Sequence, residues 1–580
     1  MKHPQSLGLT TAMLVGLFSS CSKPANPATP TPTTPVVTVN APTAPAPSAG
    51  GQVAGLFLND WQAVNFSAPS YKDTANPSGT VTSNVYVYPA SVITKISKYL
   101  FGNNVNPYMS QVITESGLMT HITNLAPHIL RCPGGSISDV YFWNTATQPA
   151  DAPDSMYDTN GNPVSAGYWY GQNTAAWTIT LNNYYSLLQQ TGSTGIITVN
   201  YAYARYGTSA NPVATAAHLA ADWVRYDHGR TKYWEIGNES GGPWEASYKI
   251  NLAKNQDGQP QIITGALYGS HFKIFADSMR QAAAETGATI YIGAQVIPSD
   301  ASSSWNIPDR TWNTGLFANA GNTADFFIVH DYFATTNNQN ATADQILAMP
   351  VKEAGSDMQY MLQSVKGYGV DMKPIALTEW NISATGLSQM VSNISGVHAA
   401  MVMGEVMKNQ FGAACRWDLA NGWNKGDDQG MFSSGDEPGV AKWNARPSFY
   451  YLYYFQKCFG DRMIATIAQG DTANLLSYAS SWSSGEIGLV LVNKGATKLQ
   501  TVKVNIPGFT TGNRYYWYTL QGGPDSVFSH KVLVNGNGPA GIAGGPDNYS
   551  SITAHAASAQ KDMIVNVPAY GAVFMMIEKK

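Results

Sequence analysis

Short apolar runs alternate with amphipathic stretches between about residues 97 and 420 of the chain. Eight of these runs are nearly continuous in hydrophobic residues, which is typical of parallel strands that are buried on both faces. They lie at 99–105, 128–133, 195–201, 233–239, 291–297, 325–333, 374–381 and 413–419. The stretches between them have helical periodicity, for example at 174–190, 213–226, 272–285 and 397–410.

Eight strand–helix units in succession predict an α/β fold, a (β/α)8 TIM barrel over residues 95–460. A doubly wound parallel sheet is the alternative. Such a sheet would normally have a glycine-rich turn after its first strand, and the segment LFGNN at 100–104 is not a turn of that kind. We therefore expect the closed barrel.

The pattern changes after residue 460, where β-like segments follow one another without a long helical stretch between them. They lie at 487–493, 501–506, 515–519, 531–534, 564–567 and 572–577. Gly, Pro and Asn turns separate them, so residues 461–580 are predicted to form a C-terminal antiparallel β-sandwich domain. Residues 52–94 are also β-like and are expected to join that sandwich.

The first 21 residues have the pattern of a secretory signal peptide, with a charged start, a short apolar run and small residues at the end. The segment FSSC at 18–21 resembles a bacterial lipobox, which predicts lipidation at Cys21. We expect an exported protein, an outer-membrane or cell-surface lipoprotein or else a secreted or periplasmic one, with no other membrane contact. Residues 22–51 are rich in Pro, Thr and Ala and are expected to be a disordered linker.

Composition limits the possible ligands. Only 12% of the residues are charged and the net charge is −4, which argues against nucleic-acid binding. Aromatic residues reach 11%, with 15 Trp and 32 Tyr; this suits a neutral ligand such as a sugar, and equally a large core. Beyond Cys21, the thiols of Cys132, Cys415 and Cys458 form no CxxC pair, and no HExxH motif occurs. We therefore expect buried free thiols, no metal site and no cofactor.

Polar residues collect at the carboxyl ends of the predicted strands, where barrel enzymes place their functional groups. Two carboxylates, Glu239 and Glu379, each end a strongly apolar run. A single such residue could equally form a structural ion pair, but two carboxyls that face one cleft are what glycosidic cleavage requires. The other candidates at strand ends, which we expect to bind substrate, are Asn104, Arg131, Asn200, Asn238, His330, Tyr332 and Trp417.

Several motifs resemble those of the large barrel clan of retaining glycoside hydrolases, and most closely family 51, the α-L-arabinofuranosidases. WEIGNE at 234–239, followed by GPW at 242–244, is similar to the acid/base motif of that clan. LTEWN at 377–381 resembles the nucleophile segment of families 51 and 39. Further counterparts are LRCPGG at 130–135, ITVNY at 197–201 and VHDY at 329–332.

The resemblance implies that Glu239 is the general acid/base and Glu379 the nucleophile. Asn238 would then bond the sugar 2-hydroxyl, with His330 close by, while Arg131 and Tyr332 would keep the nucleophile ionised and oriented. Arg131 is expected to lower the pKa of Glu379, and negative charge on the nucleophile side to raise the pKa of Glu239.

The chain departs from family 51 at two positions, where Asn106 stands in place of a sugar-binding Glu and Ser136 in place of an Asn. These departures weaken the case for arabinose as the sugar. The expected function is a retaining O-glycoside hydrolase that cleaves plant or algal cell-wall polysaccharide, or its oligosaccharides, by double displacement in the manner of an α-L-arabinofuranosidase. An endo-β-glycanase on the same fold and a non-catalytic surface carbohydrate-binding protein are the alternatives. A serine hydrolase is disfavoured because no GxSxG motif is present.

Overall fold

The computed structural model describes residues 41–46, 53–333, 340–383 and 388–580. The predicted signal peptide, Cys21 and most of the predicted linker lie outside the described residues. Within the described ranges, every helix is too short or too polar to cross a bilayer.

Eight parallel strands close into a barrel, as predicted, and each coincides with one of the eight apolar runs, although the third begins one residue earlier, at Thr194. Neighbours in the barrel follow chain order, and the last strand closes the ring by pairing with the first, with Cys415 opposite Gly102. The strands are Gly102–Asn104, Ile129–Cys132, Thr194–Val199, Tyr233–Ile236, Tyr291–Gln295, Phe326–His330, Ile375–Trp380 and Ala413–Arg416.

Apolar side chains fill the amino-terminal end of the barrel. Ile129, Ile196 and Phe326 form a buried cluster there, and Phe57 closes it from below by stacking on Tyr233 with 4.9 Å between ring centroids. Packing seals this end of the barrel. The polar side chains of the barrel strands that are available for a functional site therefore lie at the opposite, carboxyl-terminal ends of the strands.

The helices surround the barrel. In the described residues they are Ser116–Leu125, Leu181–Thr191, Tyr203–Tyr206, Pro212–Asp227, Gly265–Thr286, Trp312–Ala320, Ala343–Gly367, Asn393–Lys408 and Pro447–Cys458. The helix Asn393–Lys408 is buried on nearly every side, so the amphipathic pattern predicted for it is wrong. It lies between the barrel and the C-terminal sheet, where Gly404 faces the ring of Tyr478 and the hydroxyl of Tyr478 donates to Glu405 at 3.0 Å.

The C-terminal part forms an eleven-stranded sheet. Alternate residues such as Leu489 and Leu491 face a core inside this domain, while Val490 and Val492 belong to the core shared with the barrel. In spatial order the strands are Tyr71–Asp73, Ala554–Ser558, Thr511–Gly522, Gly571–Lys579, Ile487–Asn493, Leu475–Ser481, Arg462–Gln469, Ser83–Lys95, Gln500–Asn505 and Met563–Val567, with Val532–Val534 paired to Thr511–Gly522.

The sheet is mixed rather than wholly antiparallel as predicted. Strand Ser83–Lys95, which precedes the barrel, pairs in parallel with Gln500–Asn505, and Tyr71–Asp73 pairs in parallel with Ala554–Ser558. Both exceptions come from the segment before the barrel. This segment enters the sheet from elsewhere in the chain, so a tight turn does not fix its direction.

Three small two-stranded sheets decorate the loops. They pair Tyr141–Phe142 with Trp169–Tyr170, Ser155–Tyr157 with Pro163–Ser165, and Ala420–Asn421 with Phe432–Ser433. The thiols of Cys132, Cys415 and Cys458 are free and buried, as expected.

Candidate active site

Glu239 and Glu379 meet at the carboxyl-terminal face of the barrel, together with His330. One carboxylate oxygen of each glutamate and one ring nitrogen of His330 all lie within 4.8 Å of one another. Glu379 is part of the seventh barrel strand. Glu239 follows the end of the fourth strand in a turn in which Gly237 has φ 75° and Glu239 itself has φ 38°. That left-handed turn directs the chain back over the barrel opening.

Hydrogen bonds hold both oxygens of Glu379. Arg131 donates to Oε1 from one terminal nitrogen at 2.8 Å, and the Tyr332 hydroxyl donates to Oε2 at 2.7 Å. The Glu379 side chain is only 5% exposed. Burial, followed by the charges of Glu379 and Glu239, raises the pKa of Tyr332 well above its ordinary value, so this hydroxyl remains a donor. Glu379 is therefore a fixed carboxylate with a guanidinium beside it.

Glu239 has a more open environment, with 28% of its side chain exposed. Its Oε1 lies 2.9 Å from Nδ1 of His330, and its Oε2 accepts from the indole of Trp244 at 2.8 Å. Burial acts to raise the pKa of Glu239, but hydrogen bonds from His330 and Trp244 and the charge of His330 together lower it. The expectation that the pKa of Glu239 is raised is therefore wrong for the unliganded protein, because His330 and Trp244 stabilise the ionised carboxylate.

His330 links the two carboxylates. Its Nδ1 is 2.9 Å from Glu239 and 3.7 Å from Oε2 of Glu379, and its Nε2 lies 3.1 Å from the hydroxyl of Thr378. Burial lowers the pKa of His330, but the charges of Glu379 and Glu239 and the hydrogen bond to Glu239 outweigh burial and raise it. His330 and Glu239 thus share a proton over a wide pH range.

Arg131 is fully buried and holds together four groups from the first, fourth and seventh barrel strands and the turn after the fourth. Its Nε lies 2.6 Å from Glu235. One terminal nitrogen serves Glu379 and the Oδ1 of Asn104, at 2.8 and 3.0 Å, and the other donates to Oδ1 of Asn238 at 2.9 Å. One guanidinium therefore fixes the nucleophile candidate and the residue that precedes the acid/base candidate.

Asn238 is held from its other side by Glu245. Its Nδ2 donates to Oε1 of Glu245 at 2.9 Å, and the same oxygen accepts from Ser136 at 2.8 Å. Burial, together with the nearby charge of Asp139, raises the pKa of Glu245 well above its ordinary value. Burial likewise raises the pKa of Asp139 to about 7. Ser136, one of the departures from family 51, thus supports this network.

Asn104 and Asn200 have the contacts of structural residues. Asn104 is completely buried; its amide donates to the backbone oxygen of Thr378 at 2.9 Å, and its oxygen accepts from Arg131. Asn200 donates to the Tyr206 hydroxyl at 3.0 Å and accepts from the backbone of Tyr203 at 3.0 Å, at the start of the short helix that follows it. These contacts hold both side chains within the protein, and the substrate contact expected of them stays a prediction.

Trp417 lies over the loop after the second strand. A Cβ atom added to Gly135 would fall 2.3 Å from its six-membered ring, so only glycine leaves room for the indole. Asn106, the other departure from family 51, donates to Asp418 and to the Tyr108 hydroxyl. Burial raises the pKa of Asp418 to about 8. This buried carboxyl stands beside the position at which the family has its sugar-binding Glu.

In the part of the chain that the structure describes, two groups of side chains have the donor atoms for a cation. Asp331, Glu353 and Asp357 bring three carboxylates within 4.8 Å of one another, and Glu239, Glu379 and His330 form the second group. In the second group, Arg131 already supplies positive charge 2.8 Å from Glu379. The two glutamates and His330 are therefore suited to proton transfer as well as to metal binding.

A cavity of about 210 Å³ opens on the side of Glu239. Trp244, Val296, Ile297, Pro298 and Ile328 supply apolar parts of its wall, and Glu239 and His330 also line it.

Sequence reasoning missed Glu235 and Glu245 and gave Trp244 only a minor place. A signal for Glu235 was available, since a charge inside the apolar run 233–239 requires a buried partner and Arg131 was already a candidate. The contact of Trp244 with Glu239 and that of Glu245 with Asn238 depend on a loop shape that a single sequence does not reveal.

The match to a family model covers residues 121–346, and the model describes an alpha-L-arabinofuranosidase 1 domain. No curated protein matches the chain. Solved structures with the same fold include the alpha-L-arabinofuranosidase from Thermotoga maritima as an arabinose complex, with 16% identity and a TM-score of 0.59. They also include the GH51 alpha-L-arabinofuranosidase from Thermotoga petrophila, with 16% identity and a TM-score of 0.60. In each case 86% of this chain and 100% of the other chain are covered.

A Paenibacillus polymyxa xyloglucanase from glycoside hydrolase family 44 also has this fold, with 12% identity, a TM-score of 0.55 and coverage of 86% of this chain and 100% of that one. At these identities the structures show a shared fold. The comparisons confirm the resemblance that the motifs indicated: residues 121–346 match an α-L-arabinofuranosidase domain, and the chain has the fold of clan A barrel glycoside hydrolases.

Proposed function

We propose that the protein is a retaining glycoside hydrolase that acts on plant or algal polysaccharide or its oligosaccharides, in the manner of an α-L-arabinofuranosidase. The observation that carries the proposal is the approach of Glu239 and Glu379 to within 4.8 Å, measured between one oxygen of each. Retaining enzymes separate their two carboxyl groups by only about 5–5.5 Å, whereas inverting enzymes leave about 6.5–9.5 Å for a water molecule.

Glu379 is suited to be the nucleophile. Arg131 and Tyr332 use their hydrogen bonds to fix both of its oxygens. In the first step Glu379 attacks the anomeric carbon and forms a glycosyl ester, while the bond to the leaving oxygen breaks.

Glu239 is suited to be the general acid and then the base. It is more exposed than Glu379 and borders the cavity into which a leaving group would depart. The proton that it shares with His330 passes to the leaving oxygen in the first step. In the second step the pair recovers a proton from the water that attacks the glycosyl ester.

The test is the anomeric configuration of the first product, followed by NMR during hydrolysis of 4-nitrophenyl glycosides, with α-L-arabinofuranoside and β-xylo- and β-glucopyranosides as the panel. The expected result is turnover of the arabinofuranoside with retention. Inversion would remove Glu379 from the nucleophile role. Absence of turnover on the whole panel, and on arabinan, xylan, glucan and galactan, would favour a carbohydrate-binding protein.

A further inference from the structure

The cavity beside Glu239 has an unusual wall for a sugar site. Val296, Ile297, Pro298 and Ile328 line it, and the indole of Trp244 lies at its mouth. Glu379 does not line the cavity, so the space belongs to the leaving-group side of the two carboxylates rather than to the sugar that is attacked.

The polar side chains in this wall already form hydrogen bonds within the protein. The amide of Gln295 donates to the backbone oxygen of Ile236 at 2.7 Å and accepts from the backbone of Ser240 at 2.7 Å. The carboxyl of Asp309 accepts from Ser304 at 2.9 Å and from Asn306 at 2.7 Å.

The indole nitrogens are used as well. Trp312 donates to the backbone oxygen of Gln295 at 2.9 Å, and Trp244 donates to Glu239. Few hydrogen-bond donors among the side chains of this wall are therefore free to bind the hydroxyl groups of a sugar ring.

Apolar surface continues outward from the cavity on the loop that contains Asp309. Trp305 is 74% exposed and Ile307 is 71% exposed. Asn306, which lies between them, anchors this loop to the cavity by donating to the backbone oxygen of Gly241 at 2.7 Å. Two large apolar side chains on a tethered loop form a rim that suits a flat, weakly polar group.

We propose that this cavity is a leaving-group site for an aromatic ring, so that the preferred substrates are glycosides whose leaving oxygen is attached to a phenolic or benzylic group. The inference rests on the proposed function, because Glu239 must deliver a proton to that oxygen. Apolar walls and an indole provide the contact area and ring-to-ring packing that an aromatic group needs.

The cavity can be tested by capturing the glycosyl ester with an alcohol. The alcohol oxygen attacks the anomeric carbon, its proton passes to Glu239, the ester bond to Glu379 breaks and a new glycoside forms. A glycosyl fluoride of the sugar accepted in the panel serves as donor, since it introduces no aromatic group. Benzyl alcohol, methanol and xylose are compared as acceptors at equal concentration, and the ratio of transfer to hydrolysis is measured.

The expected result is at least about tenfold more transfer to benzyl alcohol than to methanol or xylose, in line with the burial of one ring. Ile297→Ser should remove this preference, and the variant should stay folded because the backbone of Ile297 is held by Asn313. Ile274→Ser, on the outer surface of a barrel helix, is the matched control and should keep the preference. Pro298→Ser provides a second test of the wall if Ile297→Ser does not fold.

Equal transfer to benzyl alcohol and methanol, or a preference for xylose, would overturn this proposal and leave the hydrolase intact. So would a benzyl preference that survives in every folded wall variant. Failure to consume the donor at all would instead overturn the proposed function, and this inference with it.

Discussion

Nδ1 of His330 lies 2.9 Å from Oε1 of Glu239, and this contact shifts the two pKa values apart in opposite directions. The pKa of Glu239 is lowered and that of His330 is raised. The pair therefore holds one proton from below pH 4.5 to above pH 6.5, the ordinary values of the two groups. That shared proton is the one available for a leaving group.

We predict that kcat/KM falls on the alkaline side with an apparent pKa above 6.5, because the pair loses its proton as pH rises through the raised pKa of His330. His330→Asn should move this limb to lower pH, since the proton is then held by the Glu239 carboxyl, to which Trp244 still donates, and should reduce the rate by about 10²-fold or more. A pH–rate profile with an activated glycoside checks this. An unchanged alkaline limb in the variant would contradict the shared proton.

The two glutamates should respond differently to replacement. Glu379→Ala is expected to lose at least about 10³-fold in kcat, and azide should restore part of it while giving a product of inverted configuration. With Glu239→Ala, activity on substrates with good leaving groups should survive best, and azide should give a product of retained configuration. Product NMR distinguishes the two, and the same configuration from both variants would contradict the assignment.

Arg131 is predicted to be essential for stability as well as for activity. Arg131→Met leaves Glu235 and Glu379 buried without a countercharge, which should reduce the free energy of unfolding by about 3–5 kcal/mol. Arg225→Met breaks an exposed ion pair with Glu285 and should cost less than about 1 kcal/mol. Urea unfolding of both variants checks this, and equal losses would show that the buried guanidinium has no special role.

Glu245 is predicted to act as a neutral hydrogen-bond acceptor for Asn238. Its raised pKa means that Glu245→Gln keeps both the shape and the charge state, so kcat should stay within about threefold of the parent. Glu245→Ala frees the Asn238 amide and should lower kcat by about tenfold or more with little change in KM, since the loss falls on orientation. If the Gln and Ala variants lost the same amount, Glu245 would act through its charge instead.

The apolar runs sufficed to predict all eight barrel strands, because a strand buried on both faces leaves a continuous hydrophobic pattern. They also placed Glu239 and Glu379 at one end of the barrel. The pattern could not reveal that Asn200 bonds Tyr206 or that Trp244 bonds Glu239, since both contacts depend on how loops fold back.

The pKa of Glu239 is lowered rather than raised for a related reason. The expectation considered only the negative charge on the side of the nucleophile, whereas His330 and Trp244 both donate to this carboxyl. The burial of helix Asn393–Lys408 was not predicted for a similar reason. The C-terminal domain covers its outer face, and the local periodicity of the helix does not reveal this contact.

The position of strand Ser83–Lys95 affects how the molecule can be made. It is synthesised before the barrel, yet both of its neighbours, Arg462–Gln469 and Gln500–Asn505, leave the ribosome only after the barrel is complete. During synthesis, both edges of this strand therefore remain unpaired while the intervening chain folds. A fragment that stops at residue 460 would keep both edges of this strand exposed. A fragment that starts at residue 461 would lack a strand inside its sheet. We therefore expect that neither domain folds on its own.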